Sequence, residues 1–241
     1  MFDRDKIVTD ASKCPLRGYL SKCDCECGDD CLEYFKFSLY AAHSNIPKNK
    51  IRYNTIDLSK CSKDAQNIIN GILNDPVTLV KNGLSLYLHG DTGVGKTTLG
   101  IKILLNYFYH KCMDSIPDNE CRGIFIPVDE LIEYHRYHKD DPDFTDNIQI
   151  VKDCDLVVFD NLFATGYTKY GHEIVDSVIR YRVLHEKSNI YTSNITLDDA
   201  YNDFQMIASL CGENAISIHI VGDDHRISDV DIFKTLFGGD Q

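Results

Sequence analysis

The 241-residue sequence predicts an α/β fold, a mostly parallel sheet with helices on both faces, preceded by a small Cys-rich N-terminal unit. Three observations predict it. Short apolar runs alternate with longer segments whose apolar residues recur at helical spacing, the pattern of strands joined by helical crossovers. Gly90–Thr97 reads G-x-x-x-x-G-K-T and stands between an apolar run and a helical one. Five of the ten cysteines crowd between Cys14 and Cys31, in a stretch without regular periodicity.

The length suits one substantial core with an appendage. We expect residues 1–45 to form the Cys-rich unit and 46–241 the main domain, with the break near Pro47, between Ala42 and Arg52. Just before it, Leu32, Tyr34, Phe35, Phe37 and Leu39 predict a short helix over 31–39. In the main domain, 84–89 reads as a buried strand and 96–110 as a mostly apolar helix. A second strand over 123–128 leads to a helix carrying Leu131, Ile132 and Tyr134. A third strand spans 156–160. A helix over about 172–185 places Ile174, Val175, Val178, Ile179 and Val183 on one face, and a strand over 189–192 follows. Ile216, Ile218 and Ile220 alternate through the last strand, 215–221. Strands separated by helices imply parallel pairing covered on both sides.

Composition narrows the function classes. The chain is 43% hydrophobic and 26% charged, as in ordinary soluble proteins, and no apolar run approaches the roughly 18 residues of a membrane span. Met-Phe-Asp-Arg-Asp-Lys-Ile-Val has no apolar stretch of a secretory signal, so a cytoplasmic protein without a membrane partner is expected. The formal charge of −12 argues against a broad grip on duplex DNA, because Lys and Arg neutralising phosphates supply most of that affinity. Contact with nucleic acid must then be local.

The pattern Gly90-Asp91-Thr92-Gly93-Val94-Gly95-Lys96-Thr97 carries the most specific chemistry. Its glycines let the backbone turn so that successive N–H groups face phosphate oxygens, and the following helix adds its positive end. Lys96 is expected to reach the β- and γ-phosphates of a nucleoside triphosphate and Thr97 to ligate Mg²⁺, with Thr98 beside them. Leu156-Val157-Val158-Phe159-Asp160 runs from four apolar residues to a carboxylate that would hold the Mg²⁺ through water. No guanine-reading N-K-x-D tetrad is present, which favours ATP by default.

Taken together, Gly90–Thr97, Asp160 and Tyr191-Thr192-Ser193-Asn194 resemble the AAA+ helicase loaders of the DnaC/DnaI type (the IstB-like ATP-binding family), in particular their phage-encoded branch. The resemblance runs from about Cys23 to Arg226. It includes Cys27-Gly28-Asp29-Asp30-Cys31 before an aromatic helix, Ser44-Asn45-Ile46-Pro47-Lys48-Asn49, and Gly222-Asp223-Asp224-His225-Arg226, similar to the family's G-x-D-x-R. It implies an AAA+ domain that binds ATP and Mg²⁺, docks a DnaB-type hexameric replicative helicase and assists its placement on single-stranded DNA. It also implies that Asn194 acts as the strand-end sensor of the γ-phosphate, that Arg226 joins the nucleotide contacts, and that copies can assemble into a homo-oligomer. A phage-encoded chain would work in the bacterial host cytoplasm.

Two departures bear on catalysis. The family has a second acidic residue after the strand-end carboxylate where this chain has Asn161, and an amide orients water without accepting its proton. The family's Ser-Arg pair is here Ser209-Leu210, which removes an arginine whose counterparts are worth about 10³–10⁵ in rate. A switch with weak ATP hydrolysis is therefore expected, unless Glu173, Asp176 or Arg182 compensates. Readings that share the loop are an adaptor that captures and inhibits a host helicase, an IstB-like transposition regulator, and a small-molecule kinase. The missing arginine and acidic charge count against the regulator, and no Arg-rich lid supports a kinase.

A segment as short as the Cys-rich unit buries little core, and a tetrahedral Zn²⁺ would supply one. The favoured ligands are Cys14, Cys23, Cys27 and Cys31, with Cys25 spare; the alternative is a set of unliganded or redox-active thiols. The resemblance assigns helicase docking to this unit. Cys112, Cys121, Cys154 and Cys211 sit in apolar segments and read as core. Tyr134-His135-Arg136-Tyr137-His138-Lys139 interleaves aromatic and basic residues, which suits a single strand, although Asp140 and Asp141 oppose it and a solvated helix end is the other reading. Lys48, Lys50 and Arg52 read as solvated linker.

Overall fold

The computed structural model describes residues 32–47, 50, 56–112, 122–164 and 168–224. Cys14, Cys23, Cys27, Cys31 and Arg226 lie outside them.

Five parallel strands form one sheet: β1 (Ser85–His89), β2 (Gly123–Pro127), β3 (Leu156–Asp160), β4 (Ser188–Ser193) and β5 (Ala215–His219). Their order is β2-β3-β4-β1-β5. Strands β1 to β4 are buried almost throughout because both sheet faces are covered, as parallel sheets require. At one edge, β5 buries Ile218 and leaves Ile216, Ser217 and His219 exposed.

Helices divide between the two faces. On one, α1 (Leu32–Ala42), α2 (Lys63–Asn74), α3 (Pro76–Lys81) and α4 (Lys96–Cys112) share a core that includes Tyr40, Ile69, Leu79 and Phe108. On the other, α5 (Val128–His138), α6 (Phe144–Asp153), α7 (Lys169–Leu184) and α8 (Leu197–Asn214) enclose Tyr87, Val175, Ile179 and Tyr191. Side-chain caps start several of them. Ser62 Oγ accepts the Ala65 N–H at 3.2 Å ahead of α2, and Asp75 Oδ1 accepts that of Thr78 at 3.1 Å, with Pro76 in the first turn of α3. Thr168 and Thr196 cap α7 and α8 in the same way.

The predicted strands, the helices over 96–110 and about 172–185 and the helix carrying Leu131, Ile132 and Tyr134 all appear, with ends shifted by a few residues where bounds were expected. Sequence reasoning passed over α2, α3, α6 and α8. The helix assigned to the N-terminal unit packs into the main core: Tyr40 meets Phe108 with ring centroids 5.9 Å apart. The turn after α1 also covers an edge of the sheet, since Phe125 N–H donates to Ser44 O at 2.8 Å and Asn45 Nδ2 to Phe125 O at 3.2 Å.

Candidate functional site

The strand order brings three carboxyl ends together. β4 lies between β1 and β3, so Lys96 and Thr97 after β1, Asp160 at the end of β3 and Asn194 after β4 open on one crevice. Such a crevice is where ligands bind in open α/β sheets.

The loop between β1 and α4 turns through left-handed backbone at Gly90, Gly93 and Gly95, with φ of 146°, 87° and 97°. Gly93 meets a second constraint. A Cβ there would run into the Asp224 carboxylate. The segment bearing Asp224 is tied down nearby: Lys60 pairs with Asp223, Val221 N–H donates to Cys61 Sγ at 3.4 Å, and Ile220 N–H donates to His89 O at 2.7 Å.

Lys96 is 7% exposed, and its ammonium donates to Gly90 O at 2.8 Å, Asp91 O at 2.7 Å and Asn194 Oδ1 at 2.9 Å. The two carbonyls hold the charge at the loop while Asn194 reaches it from the neighbouring strand. Across the crevice, Asp160 Oδ1 accepts from Thr97 Oγ1 at 2.7 Å and from Thr192 Oγ1 at 2.6 Å. The Thr97 hydroxyl gives its one proton to Asp160, which leaves its lone pairs for a cation. Behind Lys96, the rings of His89 and His219 stack at 5.0 Å; burial, then the His219 and Lys96 charges, pushes the His89 pKa below its ordinary value.

The crevice has a volume of about 760 Å³. Thr92–Thr98 line one side, and Asp160, Asn161 and Asn194 the other. Gly90 and Asp91 do not line it; they contribute the carbonyls that hold Lys96. Lys50, Ile56 and Asp57 also line it, and no motif had pointed to them. Lys50, read as solvated linker, is half-buried here.

A buried ammonium and a helix-opening amide loop suit a triphosphate, and a carboxylate beside a hydroxyl offers the hard oxygens that Mg²⁺ prefers. Among the described residues no three His, Cys, Asp or Glu side chains converge on a metal cage. Mg²⁺ needs none, because it takes one or two carboxylates and completes its shell with water and phosphate.

Of the residues considered as compensation for Asn161, Arg182 is ruled out. It is fully buried and donates to Asn189 Oδ1 and to the carbonyls of Val151, Lys152, Cys154 and Ser188, away from the crevice. Asp176 is engaged by Arg180 at 2.9 Å, and neither it nor Glu173 lines the crevice. Leu210 is buried in the α8 face of the core. The aromatic-basic segment divides by environment: Tyr134 stacks on His138 and Phe144, His135 Nδ1 lies 2.8 Å from Tyr170 OH, and Arg136, Tyr137 and Lys139 are exposed.

No family model matches the sequence, and no curated protein matches it either. Solved structures match by fold. The DnaC helicase loader aligns with a TM-score of 0.57 at 21% identity, covering 76% of this chain and 98% of that one. DnaI aligns at 0.55 and 19% identity, covering 76% and 95%. The replication initiator DnaA, bound in its structure to AMPPCP and single-stranded DNA, aligns at 0.53 and 17% identity, covering 74% of this chain and 51% of that one. The shared feature is the fold, a parallel sheet with helices on both faces.

Proposed function

We propose that this chain is an ATP-binding helicase loader: it docks a hexameric replicative DNA helicase, assists its placement on single-stranded DNA, and hydrolyses ATP slowly. The observation that carries the nucleotide reading is the convergence of Lys96, Thr97, Asp160 and Asn194 on one crevice from the ends of three neighbouring strands. The loader reading is supported by likeness in fold to the DnaC helicase loader over nearly all of that chain and by the family-like motifs of the sequence.

In this reading, Thr97 and Asp160 hold Mg²⁺, which when bound offsets phosphate charge. Lys96 remains at the loop and turns its ammonium toward the β- and γ-phosphate positions. Asn194, bonded to that ammonium, registers whether the γ-phosphate is present. Asn161 lines the crevice and orients water without taking its proton.

The remaining assignments rest on sequence. Cys14, Cys23, Cys27 and Cys31 hold Zn²⁺ and form the docking unit, so protein purified without chelator is expected to contain one equivalent of zinc. Its absence removes the zinc site. Arg226 joins the nucleotide contacts and copies of the chain assemble on the helicase.

Capture of a purified replicative helicase, followed by an unwinding assay on single-strand-tailed DNA, tests the function. A loader retains the helicase and raises unwinding in the presence of ATP. An inhibitory adaptor retains it and lowers unwinding, and failure to retain it contradicts both.

A further inference from the structure

Thr192 does more at this site than end a strand. Its side chain is 2% exposed and its hydroxyl stands between two elements of the crevice. The single hydroxyl proton goes to Asp160 Oδ1 at 2.6 Å, and the oxygen accepts the Asn161 N–H at 2.9 Å. The Thr192 carbonyl then accepts the next amide, that of Leu162, at 2.8 Å. Both amides that follow the strand-end carboxylate therefore terminate on one residue of the adjacent strand.

The local backbone explains why such a tie is needed. Asn161 and Phe163 both have positive φ, 61° and 65°, a region that a bulky residue enters only when its surroundings impose it. Phe163 is buried against Tyr87 and Phe204, which anchors the far end of the turn. Thr192 anchors the near end. The same hydroxyl fixes the Asp160 rotamer, since Oδ1 is shared between Thr97 and Thr192 and the carboxylate is held from both sides.

We infer that Thr192 is a positioning residue for the divalent cation: it presets the Asp160 carboxylate and the Asn161 turn, and so sets the affinity for Mg²⁺ in the nucleotide complex. The inference rests on the nucleotide reading of this crevice. Partners that orient a metal-ligating carboxylate are worth about 10- to 100-fold in metal affinity. A hydroxyl is required because an isosteric methyl neither donates to the carboxylate nor accepts the amide.

The test compares wild type, Thr192→Val and Thr192→Ser in binding a fluorescent ATP analogue in EDTA and across a Mg²⁺ titration. In Thr192→Val, the Mg²⁺ concentration for half-maximal tight binding is expected to rise by about 10- to 100-fold, with the affinity in EDTA unchanged. Thr192→Ser is expected to restore the wild-type titration. A merely structural role would shift both affinities together or lower only the melting temperature, and that result overturns the inference, as does a wild-type titration in Thr192→Val. Should Thr192→Val fail to fold, Thr192→Ala removes the hydroxyl without pressing a methyl on the Asn161 amide and is read the same way. Wild-type protein that binds no analogue in either condition contradicts the nucleotide reading itself, a separate result.

Discussion

Asn161 lines the crevice beside Asp160 with its backbone in the left-handed region, at φ 61°. Asn tolerates that conformation better than most residues, so the substitution suits the turn while it removes a proton acceptor. Slow steady-state turnover is therefore expected of wild-type protein. Asn161→Glu is expected to raise kcat by at least about tenfold, since a positioned base contributes about 10²–10⁴-fold and the left-handed backbone takes back part of it. Rapid wild-type turnover that Asn161→Ala abolishes would overturn this view. At this scale the sequence was most legible where spacing is tied to backbone geometry. Lys96, Thr97 and Asp160 stand where the motif and a strand end place them. The roles of Thr192 and Ile56 were opaque, because a threonine inside Tyr191-Thr192-Ser193-Asn194 looks the same whether it braces a carboxylate or only fills a sheet, and an isoleucine in a mixed segment gives no sign that it lines a crevice.

At the scale of elements, Arg182 holds the α6–α7–β4 corner together. Its guanidinium caps the carboxyl end of α6 through Val151, Lys152 and Cys154 carbonyls and fixes the start of β4 through Ser188 O and Asn189 Oδ1. β4 carries Thr192 and leads to Asn194, so this corner also sets the register of the site. Arg182→Ala is expected to destabilise the fold by about 3–5 kcal/mol, measured by denaturant unfolding, because it leaves several buried acceptors unpaired. Arg182→Lys is expected to recover only part of that loss, for an ammonium cannot span the same fork of acceptors. A loss below about 1 kcal/mol for Arg182→Ala would contradict the assignment. Strands β1 to β3 were legible as apolar runs and β5 as alternating isoleucines. α8 was not, because Asp198, Asp199 and Asp203 dilute its apolar face and a kink at Phe204, with φ −131° and ψ 36°, breaks the helical period. α3 spans six residues, too few for a period to show.

For the whole molecule, the sheet order and the charge are the controlling features. The order β2-β3-β4-β1-β5 sets the loop strand, the carboxylate strand and the strand between them side by side, so that their carboxyl ends open on one crevice, and alternating strand and helix patterns alone did not fix it. A formal charge of −12 confines any contact with nucleic acid to a local patch. We propose the exposed Arg136, Tyr137 and Lys139, on and just after α5, as that patch, whereas Tyr134, His135 and His138 are engaged with neighbouring side chains. Replacing the three exposed residues by alanine is expected to weaken single-strand affinity by about tenfold or more at moderate salt, since one stacked base is worth about 1–3 kcal/mol. Unchanged affinity in fluorescence anisotropy removes the patch. The proposed function depends on the crevice binding a nucleoside triphosphate, and the most direct measurement is calorimetric titration of ATP with Mg²⁺ into wild type and Lys96→Ala. Saturable binding at one site that Lys96→Ala reduces by about 100-fold or more, roughly the worth of a buried charge-assisted contact, is the predicted result. Full affinity in a folded Lys96→Ala protein, or no binding by wild type, would contradict it.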